Sequence, residues 1–148
     1  MGILELLGSI ELFEGLTTEE LAAVETLCYQ RTFQANEIIA RQNTYGDELY
    51  IIQDGFVEVS LESQSGRKVI VNLGQGQTIG EMSLIDQGRR SATVRALSSP
   101  TVLLIILQED FDKLCETNGR IGYIVIRNIA TDLSFRLRHR NLNDIIQG

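Results

Sequence analysis

Residue types that build metal and disulfide sites are scarce in this sequence. Its 148 residues include one histidine, two cysteines, one proline and no tryptophan. Because histidine-ligated metal sites need two or three imidazoles, the single His139 excludes them within one subunit. Two cysteines cannot form a disulfide framework, so we expect Cys28 and Cys115 to be reduced, buried thiols in a cytosolic protein.

Positive charge and long apolar runs are also in short supply. The chain has 13 Lys and Arg residues against 20 Asp and Glu residues, a formal net charge of −7. Such an acidic chain is poorly suited to general nucleic-acid binding or to anionic membranes. The longest apolar run, Val102–Leu107, is too short to span a bilayer, and the first five residues lack the positive charge of a secretory signal. We therefore expect a cytoplasmic protein that does not associate with membranes.

The rest of the composition is that of an ordinary folded domain. Apolar residues make up 43% of the chain and charged residues 22%, and the length suits one domain. Changes in the hydrophobic period divide the chain into three stretches. We predict a single domain over residues 1–148, with helices at about 1–30, a β-roll at 31–107 and helices at 108–146.

Two helices are predicted in the N-terminal stretch. Thr17 and Glu20 have the spacing of a capping box, in which each side chain bonds the backbone amide of the other residue. An apolar face at helical spacing follows over residues 21–28. A shorter helix is predicted at about Ile3–Leu7.

The middle stretch predicts strands. Apolar residues alternate with polar ones over residues 57–61 and 69–73, which is typical of half-buried strands, and the polar residues 63–66 between them predict a hairpin loop. Further strands are predicted at Glu37–Arg41, Glu48–Asp54, Ala92–Leu97 and Val102–Leu107. Short strands separated by glycine-containing turns indicate a barrel or jelly roll.

A long helix is predicted from about Gly119 to His139. Its apolar residues follow helical spacing and are Ile121, Ile124, Val125, Ile129, Leu133 and Leu137. Ile126 and Phe135 lie off this stripe, which indicates packing against two neighbours. Arginines outnumber acidic residues here, which indicates either a nucleic-acid contact or solvated cations near a helix C-terminus; we favour the second.

The glycine-rich segment over residues 74–94 is the strongest candidate for a binding site. It does not match a dinucleotide fingerprint, because Ile79 stands where the third glycine would be. It is not a Walker loop either, because no Gly-Lys-Ser or Gly-Lys-Thr follows the glycines.

This segment nevertheless has the groups that bind a phosphate. Gly80 precedes a predicted helical turn over Glu81–Asp86, and free amides at a helix N-terminus attract anions. Arg89 and Arg90 follow, and a guanidinium can hold a phosphate through two hydrogen bonds. Because the Glu81 carboxylate would repel a phosphate, a sugar hydroxyl suits it better. Taken singly, Glu81 could be only a favoured residue of a first helical turn and Arg90 only a surface cation.

The sequence GEMSL at 80–84, followed by RSATV at 90–94, resembles the phosphate-binding cassette of the cyclic nucleotide-binding domain family. This family includes bacterial catabolite activator proteins, regulatory subunits of cyclic-AMP-dependent kinase and nucleotide-gated channels. GDELYIIQDG at 46–55 resembles the family's β-roll core, and Gly76 matches the glycine before the cassette. The resemblance extends over about residues 12–141.

The resemblance implies a mainly β fold, an eight-stranded jelly-roll β-roll with N-terminal helices and a long C-terminal helix. It also implies that Arg90 pairs with phosphate oxygens and that Glu81 accepts from the ribose 2′-hydroxyl. Arg90 is preferred to Arg89 because it directly precedes Ser91. The residues expected to bind the ligand are Gly80, Glu81, Met82, Ser83, Arg90, Ser91 and Ala92.

The resemblance further implies a sensor or regulatory module rather than an enzyme. Its ligand would be cyclic AMP or cyclic GMP, with cyclic AMP favoured, and it would hold no metal or further cofactor. The C-terminal helix would act as a lid, or join two copies in a homodimer, and present a surface to an unknown protein partner. Because the chain ends at Gly148, we expect no helix-turn-helix domain, so the chain is either a stand-alone sensor or one domain of a larger protein.

Two alternatives to the sensor hypothesis remain open. In the first, the fold is kept as a protein-interaction or dimerisation module that no longer responds to a nucleotide. In the second and weaker one, the basic C-terminal helix regulates DNA, which predicts steeply salt-dependent binding.

Overall fold

Two antiparallel sheets form the centre of the fold in the computed structural model, which describes residues 2–86 and 88–147, the last seven of them as backbone only. Within these residues the helices are α1 (Ile3–Gly8), α2 (Thr18–Glu25), α3 (Gln108–Thr117) and α4 (Gly119–Gln147). Short 3-10 helices lie at Glu11–Phe13 and Glu81–Leu84. The strands are β1 (Tyr29–Phe33), β2 (Ile38–Ala40), β3 (Glu48–Asp54), β4 (Val57–Ser63), β5 (Gly66–Leu73), β6 (Thr78–Ile79), β7 (Thr93–Ala96) and β8 (Thr101–Leu107).

The eight strands pair in the orders β1-β8-β3-β6 and β2-β7-β4-β5. This arrangement, with helices on either side of the strands in sequence, confirms the mainly β jelly-roll fold. The four isolated strand predictions correspond to β2, β3, β7 and β8, and β4 and β5 form the predicted hairpin. The sequence analysis missed β1 and β6. β1 has no apolar alternation, and β6 is two residues long, so neither shows a period of two.

Two apolar clusters divide the core, and β8 contributes to both. Leu104 and Ile106 pack with the helices, whereas Leu103 and Ile105 pack between the sheets. Because successive strand residues point to opposite faces, a strand buried on both faces is apolar throughout. This explains the unbroken apolar run Val102–Leu107.

The predicted capping box is confirmed. The Glu20 amide donates to Thr17 Oγ1 at 3.2 Å, and the Thr17 amide donates to Glu20 Oε1 at 2.9 Å. The buried Glu20 carboxylate also accepts a hydrogen bond from Arg120 at the start of α4. Glu20, the acidic partner in the capping box of α2, therefore joins the N-terminal helices to α4.

The helix α4 begins at the predicted Gly119 and runs to Gln147, beyond the expected end at His139. Its apolar stripe divides into two parts, because Ile121, Val125 and Ile129 are buried whereas Leu133 and Leu137 are exposed. The stripe therefore packs against this chain's core only as far as Ile129. Periodicity identifies an apolar face but not what covers it.

The cysteine expectation also needs a correction. Cys28 and Cys115 are free thiols, but both are only partly buried. They pack against the apolar cluster that the helices form with Leu104 and Ile106, called the helical cluster below. Burial is the main cause that raises the pKa of the Cys28 thiol to about 12. Among the described helices, none combines the length and the hydropathy that a bilayer span requires.

Candidate functional site

A glycine with left-handed backbone begins the candidate site. Gly80 follows the short strand β6 and has φ +82°. A Cβ atom at this position would lie 2.9 Å from the Glu48 carbonyl oxygen, so only glycine fits without strain. The turn leads directly into the 3-10 helix Glu81–Leu84, which is the predicted helical turn in a shorter form.

The Arg90 side chain lies in a cage formed by two glycines and a tyrosine. A Cβ atom on Gly46 would lie 2.5 Å from Arg90 Cζ, and one on Gly80 would lie 3.3 Å from Arg90 Nη1. The Arg90 guanidinium also lies over the Tyr50 ring, with Cζ 5.1 Å from the ring centroid. The backbone is held as well, because the Arg90 amide donates to the Thr44 carbonyl at 2.7 Å. The glycines at 46 and 80 therefore leave room for a guanidinium.

A carboxylate supports the tyrosine of this cage. The Tyr50 hydroxyl donates to Glu48 Oε2 at 2.6 Å and accepts from Arg90 Nη2 at 3.4 Å. Burial, together with the bond to Glu48, raises the pKa of Tyr50 well above its usual value of 10.0. The protonated hydroxyl thus donates to Glu48 while it accepts from the Arg90 guanidinium.

The second ionic group of the site is Glu81, at the start of the 3-10 helix. Its carboxylate is half-buried, and Glu81 Oε1 accepts a hydrogen bond from the Thr78 hydroxyl on β6. The neighbouring Ser83 amide donates to the Gly80 carbonyl at 2.9 Å, which closes the turn.

Of these residues, Thr78, Glu81 and Arg90 line one cavity of about 1280 Å³. Its lining includes all seven residues expected from the sequence, namely Gly80, Glu81, Met82, Ser83, Arg90, Ser91 and Ala92. An apolar side comes from the β4–β5 hairpin, through Val59, Val71 and Leu73. Residues 9–12 and 14 of the N-terminal segment form another part of the lining, and the middle of α4 contributes Asn128, Ile129, Asp132, Leu133, Phe135 and Arg136. The Arg90 cation on one side and the apolar residues of the hairpin on another suit a small organic anion.

A family model for the cyclic nucleotide-binding domain matches residues 30–118. The chain belongs to this family. It is 33% identical over 132 residues to the cyclic AMP receptor protein of Thermus thermophilus, an alignment that covers 88% of this chain and 59% of that protein. The chain thus spans about three fifths of that relative.

Two solved structures of the cyclic nucleotide-binding domain family show the same fold. The catabolite activator protein of Thermus thermophilus superposes with a TM-score of 0.79 and 32% identity, over 93% of this chain and 63% of that one. The regulatory domain of Toxoplasma gondii PKA, solved with cAMP, superposes with a TM-score of 0.70 and 25% identity, over 75% of this chain and 42% of that one.

Two residues of this cyclic nucleotide-binding domain escaped the sequence analysis. Tyr50 contacts Arg90 from 40 positions away, and the pairing of Arg90 with the loop before β3, through Thr44, brings them together. Thr78 lies three residues before Glu81, so a hydroxyl at that spacing was an available signal. Arg89, to which Arg90 was preferred, is exposed and also lines the cavity, with Cζ 5.5 Å from the Tyr45 ring centroid. Among the side chains that the structure describes, no cluster of three or more His, Cys, Asp or Glu residues could hold a metal ion.

Proposed function

We propose that this domain is a sensor or regulatory module that binds a cyclic nucleotide in the cavity, with cyclic AMP as its favoured ligand. The observation that carries the proposal is that Arg90 and Glu81 line one cavity opposite an exposed part of α4. Relatives named for cyclic AMP, and a neighbour solved with it, support the choice of ligand.

Each charged group suits a different part of a cyclic nucleotide. Arg90 would hold the cyclic phosphate through two charge-assisted hydrogen bonds, next to the backbone of Ser91 and Ala92. Glu81 would accept a hydrogen bond from the ribose 2′-hydroxyl. Met82 and Ser83 line the cavity beside it. The apolar side of the hairpin would cover the purine. No step of this function needs a metal ion or a reacting side chain, so we propose binding rather than catalysis.

We further propose that the ligand acts by shifting the position of α4. Leu133 and Phe135 line the cavity but are exposed, so a bound base would offer them an apolar surface. A ligand that binds better when these residues cover it favours the closed position of the helix. The helix would then present a changed surface to a protein partner. The cytoplasmic location expected from the sequence stays a prediction.

The direct test is calorimetric titration with cyclic AMP, cyclic GMP and 5′-AMP, together with thermal unfolding. A cyclic nucleotide at a hundredfold excess over Kd should add about 2.7 kcal/mol, which corresponds to a rise in Tm of roughly 5–10 °C. Arg90→Ala should abolish most of this rise. Arg127→Ala, which removes an exposed arginine outside the cavity lining, is the matched control and should leave it. Binding of 5′-AMP as tight as that of cyclic AMP, or full binding by Arg90→Ala, would contradict the proposal.

Dimerisation is a second candidate function, favoured by the exposed Leu133, Phe135 and Leu137 of α4. As a homodimer through this helix, the chain would be an interaction module. Light scattering in the presence and absence of cyclic AMP separates the two functions. A dimer that takes up no cyclic nucleotide supports the interaction module, whereas nucleotide binding by a monomer supports the sensor alone.

A further inference from the structure

We infer that Thr78 is a positioning residue that holds Glu81 in the orientation needed to recognise the ribose; this inference rests on the proposed function. Its basis is the hydrogen bond from the Thr78 hydroxyl to Glu81 Oε1. Both residues are half-buried and both line the cavity. The bond therefore fixes a charged side chain at the wall of the binding site.

The backbone on both sides of this bond is itself well held. Thr78 pairs with Ile51 of β3, a fully buried strand residue. After Gly80 the chain turns through a left-handed conformation, and the Ser83 amide closes the turn on the Gly80 carbonyl at 2.9 Å. The strand thus fixes the donor and the turn fixes the backbone of Glu81. The hydrogen bond between the two side chains then restricts the rotamer of the carboxylate.

The bond leaves Glu81 able to bind a ligand. An ionised carboxylate has two oxygens with about four acceptor positions, of which the Thr78 hydroxyl occupies one. The other oxygen can accept from a ribose 2′-hydroxyl. Because a side chain that is already ordered loses less freedom on binding, Thr78 should raise the affinity for ribonucleotides by about two- to tenfold.

The test uses two substitutions with opposite chemistry. Thr78→Val keeps the branched shape that suits a strand and removes the hydroxyl. Thr78→Ser keeps the hydroxyl and removes the methyl group. Each variant and the wild type are titrated with cyclic AMP and with 2′-deoxy cyclic AMP, and Glu81→Gln is titrated in parallel. Thermal unfolding without ligand checks that every variant is folded.

We expect Thr78→Val to bind cyclic AMP about two- to tenfold more weakly and to bind 2′-deoxy cyclic AMP like the wild type. Thr78→Ser should keep the wild-type preference for the ribose, and Glu81→Gln should lose it. Thr78 would have a merely structural role if Thr78→Val weakened the binding of both ligands equally. It would have no role if the substitution changed neither affinity. Either result overturns the inference while leaving cyclic AMP binding intact. Failure of the wild type to bind either nucleotide would instead overturn the proposed function, and this inference with it.

Discussion

The cavity has a cassette wall, formed by residues 78–83 and 88–92, and a helical wall, formed by residues 128–136 of α4. The two walls differ in how firmly their side chains are held. On the cassette side, Arg90 is enclosed by Gly46, Gly80 and Tyr50, and Glu81 is bonded to Thr78. On the helix side, every residue from 131 to 140 is exposed. The first wall therefore holds its charged side chains through contacts within the domain, whereas the second presents exposed side chains to a ligand. Under the proposed function, such a division would give affinity through the first wall and a response through the second.

The helical wall is itself anchored at one end. Ile121, Val125 and Ile129 are buried in the helical cluster. The Asn128 side-chain amide donates to the carbonyls of Leu12 and Glu14, each at 2.9 Å. We therefore expect any movement of α4 to occur beyond Ile129, with the first part of the helix fixed to the N-terminal segment.

The largest expected effect tests this difference between the two parts of α4. Ile121→Ala should lower the free energy of unfolding by about 2–5 kcal/mol, because it leaves a cavity in a fully buried region. Leu137→Ala removes a similar side chain from the exposed part and should change it by less than about 0.5 kcal/mol. Urea denaturation measures both. Equal losses would show that the second part of α4 is also packed.

The next effect tests whether Arg90 of the cassette wall must lie in its cage before the ligand binds. Gly46→Ala would place a methyl group 2.5 Å from Arg90 Cζ, so the guanidinium must move. Because Gly46 has no positive φ and a guanidinium is the flexible end of its side chain, the fold should tolerate the change. We expect the affinity for cyclic AMP to fall by at least about tenfold, which corresponds to 1.4 kcal/mol. The measurement is calorimetric titration.

The control for this substitution is Gly119→Ala, since an added Cβ there meets nothing within 4 Å. It should bind cyclic AMP like the wild type. A Gly46→Ala protein with unchanged affinity would mean that Arg90 need not occupy its cage to bind the ligand.

The sequence predicted the cassette wall better than the helical wall. Glu81 and Arg90 were identifiable as candidates because they lie at a fixed local spacing around a glycine turn, and both line the cavity. Tyr50 was not, because its contact with Arg90 joins residues 40 positions apart, through a loop that pairs with the segment before β7. The exposure of Leu133 was unpredictable for a different reason. The sequence pattern of an apolar stripe is the same whether this chain, a ligand or another copy covers it.

A smaller effect tests whether the exposed wall takes part in binding. Phe135 and Leu137 are similarly exposed, at 61% and 59%, but only Phe135 is among the cavity-lining residues. Phe135→Ala should weaken binding of cyclic AMP by about two- to tenfold, because less apolar surface covers the base. Leu137→Ala should bind like the wild type, and neither should lower the stability of the ligand-free protein. Equal affinities for all three proteins would argue against a lid formed by α4.

The smallest expected effect concerns the anchor between the N-terminal helices and α4. The bond from the Thr17 amide, followed by that from Arg120, lowers the pKa of Glu20 below its usual value of 4.5. Since the pKa is lower in the folded state, ionised Glu20 stabilises the protein fully above pH 4.5, and this contribution is lost as the pH falls through the lowered value. Glu20→Gln should therefore be less stable than the wild type at pH 7, with the difference shrinking in acid. Thermal unfolding between pH 3 and pH 7 measures it.

The matched control is Glu19→Gln, an exposed carboxylate in the same first turn of α2. It removes the same charge without touching Arg120, so its effect on Tm should depend less on pH. If the two variants responded alike across this range, the Glu20–Arg120 pair would contribute no more than an exposed surface charge. The first part of α4 would then be anchored by its buried apolar residues, by Asn128 and by the bond from Arg120 Nη2 to the Gly15 carbonyl at 3.3 Å.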